Sequence, residues 1–322
     1  MSATGLHSAA FLDLSTFGHA DLDLSGLEQS VDRWQWFELI NDDELANVLG
    51  SAEVLVSNKV FLGREHFEQA KQLKLICIAA TGTNNVDLEA AADHGIGVCN
   101  VRSYATPSVV QHVFTLLLSL TTHYDEYTRD VKAGEWSRSQ RFCLLDYPVR
   151  ELAGKTIGIV GYGELGKAVA AIAEAFGMQV LIAKRNTQDN RPGRLDLHAL
   201  LPRVDVLSLH CPLNDDTRGM IGADQLALMK NDAVLINTAR GGLVDEAALV
   251  SALQNGKLGG AGLDVIEQEP PPENYPTLQV DLPNLVVTPH IAWISRESRQ
   301  RLLDEIVLNI KAFKSGEVRN RV

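Results

Sequence analysis

Three ionisable side chains in the second half of this 322-residue chain each stand just beyond a predicted buried strand: Arg240, Glu269 and His290. An arginine grips a carboxylate with its planar fork and polarises a neighbouring oxygen. A histidine delivers a proton near neutral pH, and a nearby carboxylate stabilises the protonated ring and fixes its tautomer. Together these are the groups that hydride transfer to a 2-keto acid requires.

Each of the three residues also has an ordinary interpretation. Arg240 is equally well a surface ion-pair partner, Glu269 a loop carboxylate and His290 a satisfied polar residue. What favours catalysis is their common position, because the carboxyl ends of parallel strands meet at one edge of a sheet, where open α/β folds bind ligands. The predicted strands are 233–237, 260–265 and 285–288.

A glycine-rich turn upstream supplies a second chemical function. Residues 161–166, GYGELG, follow the β-branched run 156–160 and precede a helical apolar pattern that stops at Gly177, with another strand at 180–183. Such glycines allow a tight turn, close approach of a pyrophosphate to the backbone and close packing of helix on strand. The helix N-terminus offers N–H groups to phosphate, and the complete strand–turn–helix–strand context predicts dinucleotide binding rather than a turn used only for packing.

Composition narrows the class of protein. The length favours two domains, and the 45% hydrophobic and 22% charged content is ordinary for a globular protein. A formal charge of −12 argues against binding to nucleic acid or to an acidic membrane. The first residues lack a signal-peptide pattern, so we expect a cytoplasmic protein. Four scattered cysteines, without metal-ligand spacing, predict reduced and mostly buried thiols and no metal site.

Residues 11–99 predict a first α/β unit. Strands are predicted at 11–14, 36–40, 54–57, 75–79 and 97–99, with helices near 44–49, 66–72 and 88–94. The loop 80–87 leaves the fourth strand at its carboxyl end, and its small polar residues either present N–H groups to an anion or form an ordinary connection with Asp87 as helix cap. Asn58 and Lys59 follow the third strand and either face the same crevice or lie in solvent.

A long helix is predicted over 103–127, with His112 as a packed or interface histidine. Beyond it, residues 134–148 have no clear period, and their aromatic side chains fit a dimer arm. The second unit then runs from Lys155, with strands at 204–209 and at the positions given above, helices at 224–229 and 245–254, and a closing helix over 295–314.

These motifs together resemble the D-isomer-specific 2-hydroxyacid dehydrogenases over essentially the whole chain. The resemblance is carried by GYGELG at 161–166, NTARGGLVDE at 237–246, GLDV at 262–265 with Glu269-Pro270, and TPHI at 288–291. It implies a Rossmann-type doubly wound NAD(P)-binding domain, 103–289, and a discontinuous flavodoxin-like substrate domain, 1–102 with 290–322, with the cleft between them. It also implies a homodimer.

The resemblance assigns roles residue by residue. The family's catalytic trio falls on Arg240, Glu269 and His290, of which Arg240 and His290 also contact substrate. Its substrate-carboxylate loop falls on Thr81, Gly82 and Thr83. Its cofactor contacts fall on Thr81, Gly161, Gly163, Glu164, Leu165, Gly166, Cys211, Pro212, Thr238 and Asp264.

One position departs from the NAD-preferring pattern. Those relatives carry an acidic residue at the end of the second strand, where it bonds the adenosine ribose, whereas this chain has Lys184 and Arg185. Cations would attract a 2′-phosphate, so we expect NADPH to be preferred over NADH. The alternative is that both side chains point to solvent and NADH still binds.

Within the family, the phrases ATGTNNVD at 80–87, YATPSVVQH at 104–112, FCLLD at 142–146 and HIAW at 290–293 resemble bacterial glycerate dehydrogenases, also called hydroxypyruvate reductases. The implied reaction is reduction of hydroxypyruvate to D-glycerate, with glyoxylate as a possible second substrate and His290 as proton donor. Two alternatives stay open: a dehydrogenase for another D-2-hydroxy acid, and a dinucleotide-sensing protein without turnover.

Overall fold

The computed structural model describes residues 5–322, and the chain divides into two compact units. One unit comprises the residues up to Ala105 together with Ile294–Val322, and the other is Thr106–Trp293. Each unit is an α/β structure built on a parallel sheet, which confirms the predicted fold class. The division lies a few residues beyond the boundaries expected from sequence, so His290 belongs to the second unit rather than to the first.

The sheet of the first unit contains five parallel strands in the order β2-β1-β3-β4-β5, the flavodoxin-like arrangement. The central strands β3 and β4 are buried along their whole length, as expected of parallel strands covered on both faces. The strands are β1 (Ser8–Phe11), β2 (Arg33–Trp36), β3 (Val54–Ser57), β4 (Leu75–Ile78) and β5 (Gly97–Cys99).

Short helices connect these strands, and the last helix of the chain packs against α1 and β4. Asn41 begins α2 through a capping box, in which its side chain accepts the Glu44 N–H while the Glu44 carboxylate accepts the Asn41 N–H. The helices are α1 (Ser25–Glu28), α2 (Asp42–Leu49), α3 (Arg64–Gln69), α4 (Leu88–Asp93) and α12 (Arg296–Ser315).

Strands β1 and β2 both end earlier than the apolar pattern predicted, and the chain just beyond β1 holds a turn. The fully buried carboxylate of Asp13 accepts N–H groups from Asn58 at 3.0 Å, Lys59 at 2.6 Å and Val60 at 3.2 Å. The Leu12 N–H still donates to the Val56 carbonyl at 3.0 Å, and residues 14–17 then form a 3₁₀ turn.

The sheet of the second unit contains seven parallel strands in the order β12-β11-β10-β9-β6-β7-β8. The order reverses between β6 and β9, which is the switch point of a doubly wound dinucleotide-binding sheet. The two-residue edge strand β8 was not predicted. The strands are β6 (Thr156–Val160), β7 (Gln179–Ala183), β8 (Arg194–Leu195), β9 (Val206–Leu209), β10 (Val234–Asn237), β11 (Gly260–Leu263) and β12 (Leu285–Val287).

The long helix predicted over 103–127 is two helices in the structure, because His123 adopts a left-handed conformation with φ of 52° between them. The helices of the second unit are α5 (Thr106–Thr122), α6 (Tyr124–Lys132), α7 (Glu135–Arg138), α8 (Glu164–Ala175), α9 (Leu197–Leu200), α10 (Ala223–Leu228) and α11 (Glu246–Gln254). Short 3₁₀ helices occur at Leu14–Phe17, His19–Asp21, Leu201–Arg203, Gly241–Leu243 and Pro276–Leu278.

Each unit has its own apolar core, on which the strands and helices of that unit pack. All four cysteines are free thiols, with Cys77 and Cys99 buried on neighbouring strands. Within residues 5–322, no helix has both the length and the apolar character needed to cross a bilayer. The same residues contain no cluster of three or more side chains suited to hold a metal ion.

Candidate active site

The three predicted catalytic residues follow strands that are neighbours in the second sheet. Strand β11 pairs in parallel with β10 on one side and with β12 on the other. The segments that leave these strands therefore emerge at one edge of the sheet. Arg240 follows β10, Glu269 follows β11 and His290 follows β12, as the sequence indicated.

Glu269 and His290 are in direct contact. The Glu269 Oε2 atom lies 2.6 Å from His290 Nδ1, while its Oε1 atom accepts the Ile266 N–H at 3.0 Å. Both side chains are 33% exposed, so a small molecule can reach the pair. The carboxylate occupies Nδ1 and orients the ring, which leaves Nε2 as the ring nitrogen able to act on a substrate.

The loop of Arg240 packs directly on the loop of Glu269. A Cβ atom at Gly241 would overlap the carbonyl group of Ile266, so only glycine permits this approach. The Arg240 guanidinium donates one hydrogen bond to the Ala239 carbonyl at 2.7 Å. The main-chain carbonyl of Arg240 accepts a hydrogen bond from the Asn237 side-chain amide at 2.8 Å. Arg240 is exposed, and the rest of its five-donor fork can bind a planar anion.

Asp264 lies beneath His290 and is 1% exposed. Its carboxylate accepts the N–H groups of Ile291 at 2.9 Å and Ala292 at 2.8 Å and the Thr288 hydroxyl at 2.6 Å. Burial alone would raise the pKa of Asp264, but these hydrogen bonds and one from His112 lower it below its ordinary value. The cofactor contact expected of Asp264 stays a prediction, since its oxygens already bind groups of this chain.

The glycine-rich turn has the close approaches that a dinucleotide site needs. Gly161 has φ of 93°, and a Cβ there would overlap the main chain of His210 and Cys211. A Cβ at Gly166 would overlap the carbonyl of Gly161, whereas Gly163 faces open space at the start of α8. The turn therefore leaves room for phosphate beside the helix N-terminus. Leu165 lies in the first turn of α8, and the Glu164 carboxylate accepts the Thr106 hydroxyl.

Two buried polar atoms of the second unit have no hydrogen-bond partner within residues 5–322: the Thr238 hydroxyl and His210 Nδ1. They follow the adjacent strands β10 and β9. Burial lowers the pKa of His210 to about 4 and raises that of the neighbouring Cys211 thiol to about 11, so both are neutral near pH 7. Unpaired buried polar groups are costly unless a ligand satisfies them. Thr238 and His210 therefore fit a site for a bound nicotinamide dinucleotide. Pro212, also predicted to contact the cofactor, follows Cys211 in the same segment.

The segment after β7 carries the residues expected to choose between cofactors. The Lys184 ammonium lies 3.2 Å from the Asp196 carboxylate and is 25% exposed, while Arg185 donates its main-chain N–H to Asp189 at 3.0 Å. The Asp189 carboxylate also binds the Arg191 guanidinium through two 2.7 Å contacts, and the pKa of Asp189 is held well below its usual range by that guanidinium and by the Arg185 N–H. The segment thus carries several arginines, and its two acidic groups, Asp189 and Asp196, are already paired with basic side chains.

In the first unit, the predicted substrate-carboxylate loop lies at the carboxyl end of β4. The Thr81 hydroxyl donates to the Val101 carbonyl at 2.9 Å, and the Thr81 carbonyl accepts the Asn100 side chain at 2.8 Å. These bonds fix the start of the loop at the exposed Thr81, while Gly82 and Thr83 are half-buried. Asn58 is buried and Lys59 exposed on the turn that Asp13 holds, after the adjacent strand β3.

The segment 134–149 presents apolar side chains to solvent. Trp136 is 51% exposed, Phe142 91% and Leu145 71%. Trp136 and Leu145, together with residues of α6 and others of this segment, line a groove of about 460 Å³, and the Trp136 indole N–H donates to the Phe142 carbonyl at 3.0 Å. Monomeric proteins rarely expose so many large apolar side chains together.

Sequence reasoning did not single out His210 or Asp189, and it predicted His112 only as a packed or interface histidine, without its contacts to Thr288 and Asp264. His112 stands three residues after Val109 and four before Leu116, on the buried stripe of α5, and a polar residue on such a stripe was the available signal. No comparable signal marks Asp189, because its partners come together only through the loop that joins β7 to β8.

Comparison with known proteins places this geometry in context. Residues 114–292 match the model of the NAD-binding domain of D-isomer specific 2-hydroxyacid dehydrogenases. The chain is 49% identical over 280 residues to a glycerate dehydrogenase of Methylorubrum extorquens, covering 87% of this chain and 88% of that protein. It is 38% identical over 317 residues to a hydroxypyruvate reductase of Blautia hydrogenotrophica, covering 97% and 98%.

A solved structure is similar over nearly the whole chain. An acyclic imino acid reductase in complex with NADPH and D-Arg superposes with a TM-score of 0.82 at 30% identity, covering 98% of this chain and 99% of that one.

Proposed function

Because the chain belongs to the D-isomer specific 2-hydroxyacid dehydrogenases, we propose that it reduces hydroxypyruvate to D-glycerate, and glyoxylate to glycolate, with a reduced nicotinamide dinucleotide. The observation that carries the chemistry is the 2.6 Å contact between Glu269 and His290 at the edge of a dinucleotide-binding sheet. The choice of substrate is supported by the relatives named glycerate dehydrogenase and hydroxypyruvate reductase.

The side chains divide the work of the reaction. A reduced nicotinamide, when bound, would supply the hydride to the keto carbon. His290 donates a proton from Nε2 to the keto oxygen as negative charge develops there, and Glu269 orients the ring through its contact with Nδ1. Arg240 binds the substrate carboxylate and polarises the keto group with its guanidinium fork. Thr238 and the turn 161–166 bind the dinucleotide.

The two units take different parts in this proposal. The second unit carries the dinucleotide and the proton donor. The first unit carries substrate, through the loop Thr81–Thr83, whose N–H groups bind the carboxylate. Support comes from the position of this loop at the carboxyl end of a central parallel strand, where α/β sheets bind ligands.

Initial rates of hydroxypyruvate reduction with NADPH and NADH in parallel test the proposal, with glyoxylate and pyruvate as comparison substrates. Fast turnover of hydroxypyruvate is the expected result. Faster turnover of another keto acid would reassign the substrate. Dinucleotide binding without turnover of any keto acid would reject the enzyme function in favour of a dinucleotide-sensing protein.

The cofactor preference is a finer part of the proposal. NADPH is preferred, because Lys184 and Arg185 stand where an acidic residue would otherwise repel the 2′-phosphate. The salt bridge between Lys184 and Asp196 does not prevent this, since exposed pairs of this kind contribute little and exchange partners readily.

A second copy of this chain is the proposed occupant of the apolar groove on the segment 134–149. Substituting Leu145, which lines the groove, with Asp should convert a dimer to a monomer in light scattering after gel filtration. Leu39→Asp is the matched control, because Leu39 has nearly the same exposure, 70% against 71%, but lies in the first unit. A monomeric parent protein, or a Leu145→Asp variant that stays dimeric, would reject the proposal.

A further inference from the structure

The main chain at His290 is held in a conformation that it would not adopt freely. His290 has φ of 55°, in the left-handed region, which is unfavourable for a residue with a side chain. The carbonyl oxygen of Asp264 accepts the His290 N–H at 2.9 Å, and the Asp264 carboxylate accepts the next two N–H groups, of Ile291 and Ala292. Asp264, the buried residue that follows β11, thus binds the N–H groups of three successive residues, 290–292.

His112 on α5 completes this network from the other side. Its Nε2 atom lies 2.9 Å from the Thr288 hydroxyl oxygen and 3.3 Å from Asp264 Oδ1. The Thr288 hydroxyl donates its own proton to Asp264 Oδ1 at 2.6 Å. Since that proton is used, the Thr288 oxygen can only accept from His112, and His112 must carry its proton on Nε2.

The position of His112 is itself fixed by packing. Helix α5 packs against β10 and β11, and the neighbours of His112 on the helix, Val113 and Leu116, are buried. The His112 side chain is 15% exposed. A donor so placed cannot swing away when the loop moves, so it stabilises one arrangement of Thr288 and Asp264 over others.

We propose that His112 is a positioning residue for the reaction, which orients Thr288 and Asp264 and through them holds His290 against Glu269. The inference rests on the proposed function, in which His290 is the proton donor, and extends it to a residue of α5 that acts only through others. Within this network, His112 faces Asp264 and Thr288, and His290 faces Glu269.

Two substitutions at position 112 separate a hydrogen-bonding role from a packing role. His112→Phe keeps a ring of similar size and removes the donor, whereas His112→Gln keeps an N–H donor at similar reach. With His112→Phe we expect kcat for hydroxypyruvate to fall by about 10- to 100-fold, because a misplaced proton donor has a cost of this order. We expect KM and the dinucleotide Kd to change less than about threefold, and His112→Gln to recover most of the loss.

Thr121→Val is the matched control. Thr121 is a buried residue of the same helix, and its hydroxyl bonds only carbonyls of that helix, at 2.8 Å to Leu117 and 3.4 Å to Leu118. This variant should melt at a lower temperature without a selective loss of kcat. An unchanged kcat in His112→Phe would overturn the inference, as would equal losses in His112→Phe and His112→Gln.

A second arm keeps the test decisive if His112→Phe folds poorly. Thr288→Val removes the hydroxyl that joins His112 to Asp264 and should produce a similar loss of kcat. Combined with His112→Leu, an apolar replacement that also removes the donor, its effect should be clearly less than additive. Fully additive losses would contradict action through one network.

An activity-independent readout distinguishes this inference from the proposed function. The imidazole NMR signals of His290, assigned from their absence in His290→Ala, should shift in ligand-free His112→Phe but not in Thr121→Val. If the parent protein reduces no keto acid, the proposed function fails while this comparison still decides whether His112 positions His290. An unshifted His290 signal would reject the positioning role.

Discussion

Two loops of the second unit, those that follow β12 and β7, are each organised around one buried acidic residue, but the two carboxylates have different partners. After β12, the Asp264 carboxylate is 1% exposed and binds main-chain N–H groups and a hydroxyl from within the protein. After β7, the Asp189 side chain is 4% exposed and accepts the main-chain N–H groups of Arg185 and Arg191, but it also binds the Arg191 guanidinium, whose side chain is 57% exposed. One loop is thus held by buried hydrogen bonds without a bound guanidinium, and the other also by an arginine that reaches the surface.

The difference matches what each loop is proposed to do. Proton transfer depends on the position of one imidazole to within a fraction of an ångström, so its loop is fixed by buried bonds that cannot be exchanged for water. Selection of a cofactor phosphate depends on the local charge, which exposed side chains supply and which substitutions alter at little cost to the fold. The comparison predicts large effects on rate at the first loop and changes in selectivity at the second.

His290→Ala is the substitution with the largest expected effect. Turnover of hydroxypyruvate should fall by about 10²- to 10⁴-fold, because the proton donor is lost. Dinucleotide affinity, measured by titration, should stay nearly unchanged. His198→Ala, at an exposed histidine of α9, is the matched control and should behave as the parent. Turnover of His290→Ala within a few-fold of the parent would show that another group delivers the proton.

Lys184→Asp sharpens the comparison at the second loop. The ratio of kcat/KM with NADPH to that with NADH should fall by about tenfold, equivalent to about 1.4 kcal/mol, because a carboxylate repels the 2′-phosphate and bonds the ribose hydroxyls. The kcat with NADH should remain close to that of the parent, since His290 is not disturbed.

Lys257→Asp makes the same change of charge at an exposed residue after α11 and controls for net charge. It should leave the ratio between the cofactors unaltered. A ratio unchanged in Lys184→Asp would reject the role of this position in cofactor choice.

The sequence predicts His290, the proposed proton donor in the loop after β12, but not the contacts that fix its position. Arg240, Glu269 and His290 were visible because each follows an apolar strand pattern, and parallel strands bring their ends to one edge. The contact between Glu269 and His290 is a matter of side-chain geometry and had to come from the structure. The roles of all three stay predictions until they are substituted.

The misplaced and missed features share a physical cause. Just beyond β1, the Asp13 carboxylate accepts N–H groups from a turn more than 40 residues away in the chain, and hydrophobic periodicity carries no sign of such a bond. The helix predicted over 103–127 breaks at His123 through a left-handed residue that is not glycine. Local pattern thus predicts the order of elements well, while their ends and buried polar contacts depend on tertiary structure.

The last effect expected is on stability rather than on rate or selectivity, and it tests whether the first loop is held by a buried anion. The folded-state pKa of Asp264 lies below its ordinary value despite burial, because hydrogen bonds stabilise the carboxylate. Its contribution to stability is therefore present above about pH 4, the ordinary value for aspartate, and is lost as the pH falls further. Asp264→Asn should lower the unfolding free energy at pH 7 by about 1–3 kcal/mol.

The pH dependence of that loss distinguishes an anion from a neutral hydrogen-bonding group. Calorimetry of both proteins from pH 3 to pH 7 should show the difference in melting temperature narrowing below about pH 4, because only the parent has a carboxylate to protonate at this position. Asp232→Asn, at a 66% exposed carboxylate of the same unit, should change the melting temperature little at any pH. A difference that stays constant from pH 7 down to pH 3 would mean that Asp264 contributes through shape rather than charge, and the contrast with the arginine-bound Asp189 loop would then lose its physical basis.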